Sequence, residues 1–353
     1  MGNVAINEPI KKTKKKIFIW GSLFIIITLL ITSALAVVFF SNVSYPSGTK
    51  KYLYINKDYS FADVVNTLDS MSVLHSISSF TLVAKIKKYP NSIKPGRYLL
   101  KQGMSNYTLI NMLASGNQTP VMLTFNNIRT LPQLAGVLAK QLQPDSLSLL
   151  KAFTNQEMLD SLGFTKNSVV CNFIPNTYET YWTISPKGLL LKMNREYKKY
   201  WNDERMALAK QLGLSPIEVT TLASIVSEES NKEKEYKLIA GVYLNRVRKG
   251  MLLQADPTVK FALQDFSLKR ILGKHLECES PFNTYRKTGL PPGPICIPSV
   301  KVLDAVLHTE PHSYIYFCAK EDFSGYHNFA ITLAEHNENA RRYQRALNAN
   351  NIR

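Results

Sequence analysis

No two of the four cysteines, Cys171, Cys278, Cys296 and Cys318, stand in a C-x-x-C spacing. Zinc held by thiolates is therefore not expected, and 353 residues can build their cores without a disulfide framework. The six histidines include one pair four apart, His308 and His312, but Pro311 lies between them and there is no H-E-x-x-H pattern, so neither a metal nor another cofactor is expected. Acidic residues are in deficit, 26 against 43 Lys and Arg, for a formal net charge of +17. The excess is spread without an Arg/Lys block or an RNP-type aromatic motif, which argues against nucleic acid as a partner. An anionic wall polymer or a lipid surface fits it equally well. No repeat or low-complexity linker interrupts the chain after Ser47.

Charge is missing altogether between Ile17 and Phe40, a run of 24 mostly apolar residues. As a helix it is long enough to cross a hydrocarbon core of about 30 Å. Lys11, Lys12, Lys14, Lys15 and Lys16 precede it, which keeps the N-terminus in the cytoplasm and places the chain after Ser41 outside. Ala34-Leu35-Ala36 resembles a signal-peptide cleavage site, but the apolar run continues through Val37-Val38-Phe39-Phe40 and exceeds a signal core of roughly 7 to 15 residues. A retained, single-pass anchor in the cytoplasmic (inner) membrane is the favoured reading.

Residues 52–117 read as strand, helix, helix, strand, helix. Phe61, Val64, Val65 and Leu68 form a helical stripe, a second helix follows before Pro90, Gly96 opens a strand, and Ser105 caps a helix that Gly116 ends. The βααβ order resembles a LysM-like module, a small fold that grips N-acetylglucosamine chains; a plain spacer is the alternative. A strand is expected over 120–127 and a helix over 131–142.

Residues 215–230, SPIEVTTLASIVSEES, carry a complete helix start: Ser215 as N-cap, Pro216 at the first position and Glu218 closing a capping box. At about 100° per residue, Glu229 falls on the stripe of Leu222, Ile225 and Val226, whereas Glu228 follows Thr221 and Ser224 on the polar side. Glu229 is thus the inward carboxylate and Glu228 the solvated one. A carboxyl in partly apolar surroundings loses hydration, which raises its pKa and suits it to act as a general acid. A second helix, from about Gly241 to Gly250, carries Arg246, and Asp256-Pro257 reads as the N-cap of a third. Leu290-Pro291-Pro292-Gly293-Pro294 is a stiff loop suited to a ligand wall.

Taken together, ASIVSEES, YLNRV, LLQADPTV, FNTYRKTGLPPGPI and HNFAITLAEHN, with NFIPNTYETYW upstream, resemble the YceG-like endolytic murein transglycosylases from about Asn172 to the C-terminus. Family members often read IVEKET where this chain has Ile225 to Ser230, so the first glutamate of that motif is Ser227 here and the one followed by Ser or Thr is Glu229. The resemblance implies an α+β architecture: a cytoplasmic tail (1–16), a transmembrane helix (17–40), a LysM-like module (41–117), a connection (118–165) and a mixed α+β catalytic domain (166–353). It implies cleavage of the MurNAc-β-1,4-GlcNAc bond without water, leaving a 1,6-anhydro end, with peptidoglycan strands as substrate and penicillin-binding proteins as wall-synthesis partners. Glu229 is the implied acid. Ser230, Asn245, Gln254, Asp256, Asn283, Tyr285 and Asn328 are the substrate-binding candidates by motif match. Asp256 also reads as a helix cap, and Arg246 as a partner of either a muropeptide carboxylate or Glu228. Two other functions stay open: a silent wall-binding scaffold, and a hydrolytic muramidase using Asp256 as second carboxylate.

Overall fold

The computed structural model describes residues 8–40, 42–46 and 48–350, with the side chains of 8–14 and 37–39 excepted. Of the basic tail, residues 1–7 and the side chains of Lys11, Lys12 and Lys14 lie outside what is described. Two compact units emerge: Met1–Val121 with Tyr181–Thr183, and Met122–Thr180 with Ile184–Arg353.

The first unit opens with α1 (Glu8–Phe39), whose stretch Lys15–Ala36 is long and apolar enough to cross a membrane and is not buried by the protein. Then come β1 (Lys51–Ile55), α2 (Phe61–Ser70), α3 (Ile77–Ile86), β2 (Gly96–Leu100) and α4 (Asn106–Ser115). β1 and β2 pair antiparallel, with Leu53 opposite Tyr98 and Ile55 opposite Gly96. Alternation decides which face they bury: Leu53, Ile55, Tyr98 and Leu100 close over Val64, Leu68, Phe80 and Leu109. Ser60 caps α2 in a capping box with Asp63, Ser105 caps α4, and Gly116 ends α4 at φ 72°, a left-handed position that glycine takes without strain. α3 stops at Ile86, short of Pro90, which sits instead in a 3-10 turn over Tyr89–Asn91.

The second unit is mainly helical. β3 (Val121–Thr124) leads to α5 (Leu131–Ala139), α6 (Ser146–Phe153) and α7 (Gln156–Leu162), and β4 (Thr177–Thr180) pairs with β3. There follow α8 (Pro186–Tyr200), α9 (Asp203–Leu212), α10 (Pro216–Glu229), α11 (Tyr236–Arg248), α12 (Asp256–Leu263), the short α13 (Gly273–Leu276) and α14 (Val300–Leu307). β5 (Tyr316–Ala319) and β6 (His327–Ala330) form an antiparallel hairpin, and α15 (Leu333–Ala349) ends the chain.

α10 is the axis of this unit, packed by α14, α11, α12 and α9. Its start is the expected one: Ser215 Oγ accepts from the Glu218 N–H, and the Glu218 carboxylate accepts from the Ser215 N–H. Its polar side departs from the amphipathic reading. Thr221 and Ser224 are as buried as Leu222 and Ile225. Their hydroxyls donate to the carbonyls of Ile217 and Thr221 within the helix, which satisfies them without water and lets that side enter the core. Ser224 Oγ also accepts the Ile295 N–H, fixing the segment after the proline loop on α10.

Candidate active site

The C-terminal end of α10 holds two adjacent carboxylates with different partners. Glu228 is gripped from two sides by Arg129, whose Nε lies 3.2 Å from one carboxylate oxygen and whose Nη2 lies 2.9 Å from the other. Glu228 is therefore paired rather than simply solvated. Its partner comes from the loop before α5, not from Arg246 on α11.

Glu229 is partly buried and accepts a hydrogen bond of 2.6 Å from the Tyr243 hydroxyl. Tyr243 is buried on α11, so this donor is fixed. Burial pushes the Glu229 carboxyl up to about 7. The Tyr243 bond opposes that rise, the charge of Asp256 adds to it, and Lys260 and Arg246 pull against it. The carboxyl is thus poised between its acid and base forms near neutrality. Partial exposure leaves it a route to a ligand, which full enclosure would deny.

Arg246 lies on the same helix, three residues after Tyr243. Its Nε donates to the Ile315 carbonyl and one terminal nitrogen to that of Leu253, each at 2.7 Å. The guanidinium is buried and stacks 5.4 Å from the centre of the Tyr316 ring. No carboxylate pairs with it among the described ion pairs, so its charge acts on its surroundings: it favours the Glu229 carboxylate, and at His336, where burial already disfavours protonation, it adds to that effect. His336 stacks on Tyr316 at 5.2 Å, continuing the aromatic wall.

Of the motif candidates, Asp256 and Tyr285 join this site. The Tyr285 hydroxyl donates to Asp256 Oδ1 at 2.5 Å, and the charges of both groups are felt at Glu229 or by it. Asp256 is not the cap of α12: Ala255 holds that position, and no side chain caps the helix. The carboxylate is left for Tyr285 instead. Gln254, just before, is exposed at φ 52°, its N–H donating to the Thr284 carbonyl.

The remaining candidates are occupied inside the protein. Ser230 Oγ donates to Glu235, which also accepts from the N–H and ring of His327 and so ties the α10–α11 junction to β6. Asn245 donates to the carbonyls of His312 and Tyr314. Asn283, fully buried, holds the carbonyls of Leu276 and Cys278. Asn328 donates to Glu321 across the hairpin. Tyr243 and Lys260 were not singled out from sequence. The signal for Tyr243 was its spacing from Arg246, which puts both on one side of α11. None of the four cysteines is paired, and burial pushes the Cys171 and Cys296 thiols up to about 12.

The fold and the site define an α+β protein organised around one protonatable carboxyl at the end of a core helix. Residues 53–342 match the YceG-like family, and the chain belongs to it. It is 28% identical over 318 residues to the endolytic murein transglycosylase of Bacillus subtilis strain 168, covering 86% of this chain and 84% of that one. It is 27% identical over 310 residues to the endolytic murein transglycosylase of Streptococcus pneumoniae serotype 2, covering 77% of this chain and 55% of the relative. A crystal structure of a YceG-like protein from Listeria monocytogenes superposes with a TM-score of 0.56 at 27% identity, over 83% of this chain and 99% of that one.

Proposed function

We propose that this chain is a membrane-anchored lytic murein transglycosylase that cuts within glycan strands at the MurNAc-β-1,4-GlcNAc bond and leaves 1,6-anhydro ends. The observation that carries the reading is Glu229, partly buried, held by Tyr243 and titrating near neutrality. Its protonated form gives its proton to the leaving glycosidic oxygen. Its carboxylate then takes the proton of the C6 hydroxyl as that oxygen closes on the anomeric carbon. One group acts in turn as acid and base, so a pKa close to the working pH serves both steps. Tyr243 and the Arg246 charge stabilise the carboxylate between them. Tyr285 and Asp256 sit where polar groups can meet the positive charge that develops on the sugar.

Membership in the family and the names of the relatives support the reaction class; the remaining features rest on the chain. α1 is the anchor, residues 1–16 a cytoplasmic tail, 41–117 a LysM-like glycan-holding module, 118–165 a connection and 166–353 the catalytic part, placed outside the inner membrane. Cutting near the membrane fits a role in ending nascent strands beside penicillin-binding proteins. A second reading, hydrolysis by a muramidase, is favoured by the Asp256 charge acting on Glu229, because a hydrolase needs a second carboxylate. The test is product release by purified Glu229→Gln and Glu228→Gln on one wall preparation. Glu229→Gln should fall by at least ~10²-fold while Glu228→Gln loses far less. The reverse ranking would refute the assignment.

A further inference from the structure

Beside the acid, a cavity of about 580 Å³ opens at the same end of α10. Its walls are the loop 126–129, Pro175, Ser227 and Glu228 at the helix end, Asn231 and Tyr236 just after it, and the segment 296–302 that leads into α14. The proposed chemistry at Glu229 makes no use of it.

The cavity is built rather than incidental. Asn127 adopts φ 52°, a left-handed conformation that asparagine tolerates, and its carbonyl accepts from Gln133. The Arg129 N–H donates to the Gln133 side chain, and its guanidinium holds Glu228 while facing the Phe266 ring at 5.2 Å. The Ile297 N–H donates to the Ile128 carbonyl at 2.7 Å, joining the two walls. Ser224 secures the same segment from below through Ile295. Backbone bonds therefore fix the walls, and of the charged groups turned to the opening Arg129 and Glu228 are spent on each other.

At the rim, neutral polar groups prevail over the single aromatic ring of Tyr236. Arg129 and Glu228 neutralise each other, and Asn126, Asn127, Asn231 and Ser299 bring carboxamides and a hydroxyl to the exposed rim. Ser299 stands at the N-cap of α14 yet makes no side-chain cap bond, so its hydroxyl is not consumed there. Beneath lie Ile297 and Val302, both buried and aliphatic. Carboxamides that both donate and accept, over an aliphatic floor, match the alternating amides and small side chains of a peptide.

We infer that this cavity binds the peptide stem carried by the muramic sugar whose bond is cut, making the protein selective for stem-bearing strands. The inference rests on the proposed function, since it takes the glycan at Glu229 as given. Neighbouring positions at one helix end supply the two contacts, the scissile bond at Glu229 and the stem at Glu228 and Asn231. The stem branches from the same sugar, so one substrate unit can reach both.

The test has two arms on the full-length protein in detergent. In the first, calorimetry on Glu229→Gln measures binding of stem peptide released from the wall by an amidase, with Asn231→Ala and Ser299→Trp added singly. Ser299 is exposed and uncommitted, so a large ring there fills the opening without disturbing the core. Binding should be present in Glu229→Gln and weakened about tenfold or more by either addition. No binding, or binding indifferent to both changes, overturns the inference whatever the enzyme does. In the second arm, kcat/KM of otherwise unmodified protein is compared on stem-bearing strands and on strands stripped by the amidase. A preference of about tenfold for stems, reduced by Ser299→Trp on stem-bearing strands only, supports it. Equal cutting of both substrates, or equal loss on both, would assign the cavity to glycan and refute the stem. Cleavage of neither by the unmodified protein, with stem binding intact, would sink the catalytic reading and leave this site standing.

Discussion

At Glu229 the opposing influences are separable, and each gives a measurable consequence. Removing the Tyr243 hydroxyl takes away a hydrogen bond that favours the charged carboxylate, so Tyr243→Phe should raise the Glu229 pKa further and move the alkaline limb of kcat/KM to higher pH. The lost bond should also lower kcat/KM at neutral pH by about tenfold, in the range of a hydrogen bond to a charged group. A pH profile that does not move would show that Tyr243 acts only through packing. Stability carries the same signature. Because the folded pKa, about 7, is raised above the ordinary carboxylate value of 4.5, the folded state holds the proton more tightly and loses stability as pH rises between those values. Glu229→Gln removes that loss. Its melting temperature should exceed that of the unmodified protein at pH 8, and the gap should close below pH 4.5, the unfolded value. Helical periodicity alone sets Glu229 on the apolar stripe of α10, because a helix position is local information. The same periodicity reads Glu228 as simply solvated, since Arg129 lies 99 residues upstream and nothing in the helix announces it.

Among the elements, α10 shows where local rules suffice and where they fail. Ser215, Pro216 and Glu218 fixed its start because a capping box is complete within four residues. Thr221 and Ser224 looked like a solvent face because hydroxyls are polar, but bonded to their own helix they pack like core. Asp256 illustrates the converse: Asp before Pro reads as a cap, yet its carboxylate is claimed by Tyr285, 29 residues on. In the proline loop the glycine has a reason beyond turn geometry. A Cβ on Gly293 would stand 2.0 Å from the Asn167 carbonyl oxygen, a backbone atom that cannot rotate away. Gly293→Ala should therefore destabilise by about 1 to 3 kcal/mol, as overpacking does, read as a lower urea midpoint with an unchanged slope. An unaltered midpoint would mean that the 165–168 segment yields freely.

For the whole molecule, the strand and helix order of the first unit and the apolar α1 were legible because alternation, capping and hydrophobic length are written along the chain. Glu229 and Asp256 could be singled out together only through motifs in family order, because they lie on different helices, and the part of Tyr243 beside them could not be read from the sequence at all. Topology is checked by a reporter fused after the C-terminus, which should be active only on the exported side of the membrane; cytoplasmic activity would reverse the orientation. Deleting residues 49–117 from an otherwise folded chain should reduce action on intact wall more than on short soluble strands, and equal effects would deny this segment the proposed glycan-holding role. The most direct measurement is the mass of the new ends made on isolated glycan strands, since an anhydro end and a reducing end differ by one water. The protein should release 1,6-anhydro-MurNAc ends, and Glu229→Gln almost none. Reducing ends in their place, or anhydro ends undiminished in Glu229→Gln, would contradict a single glutamate acting as both acid and base.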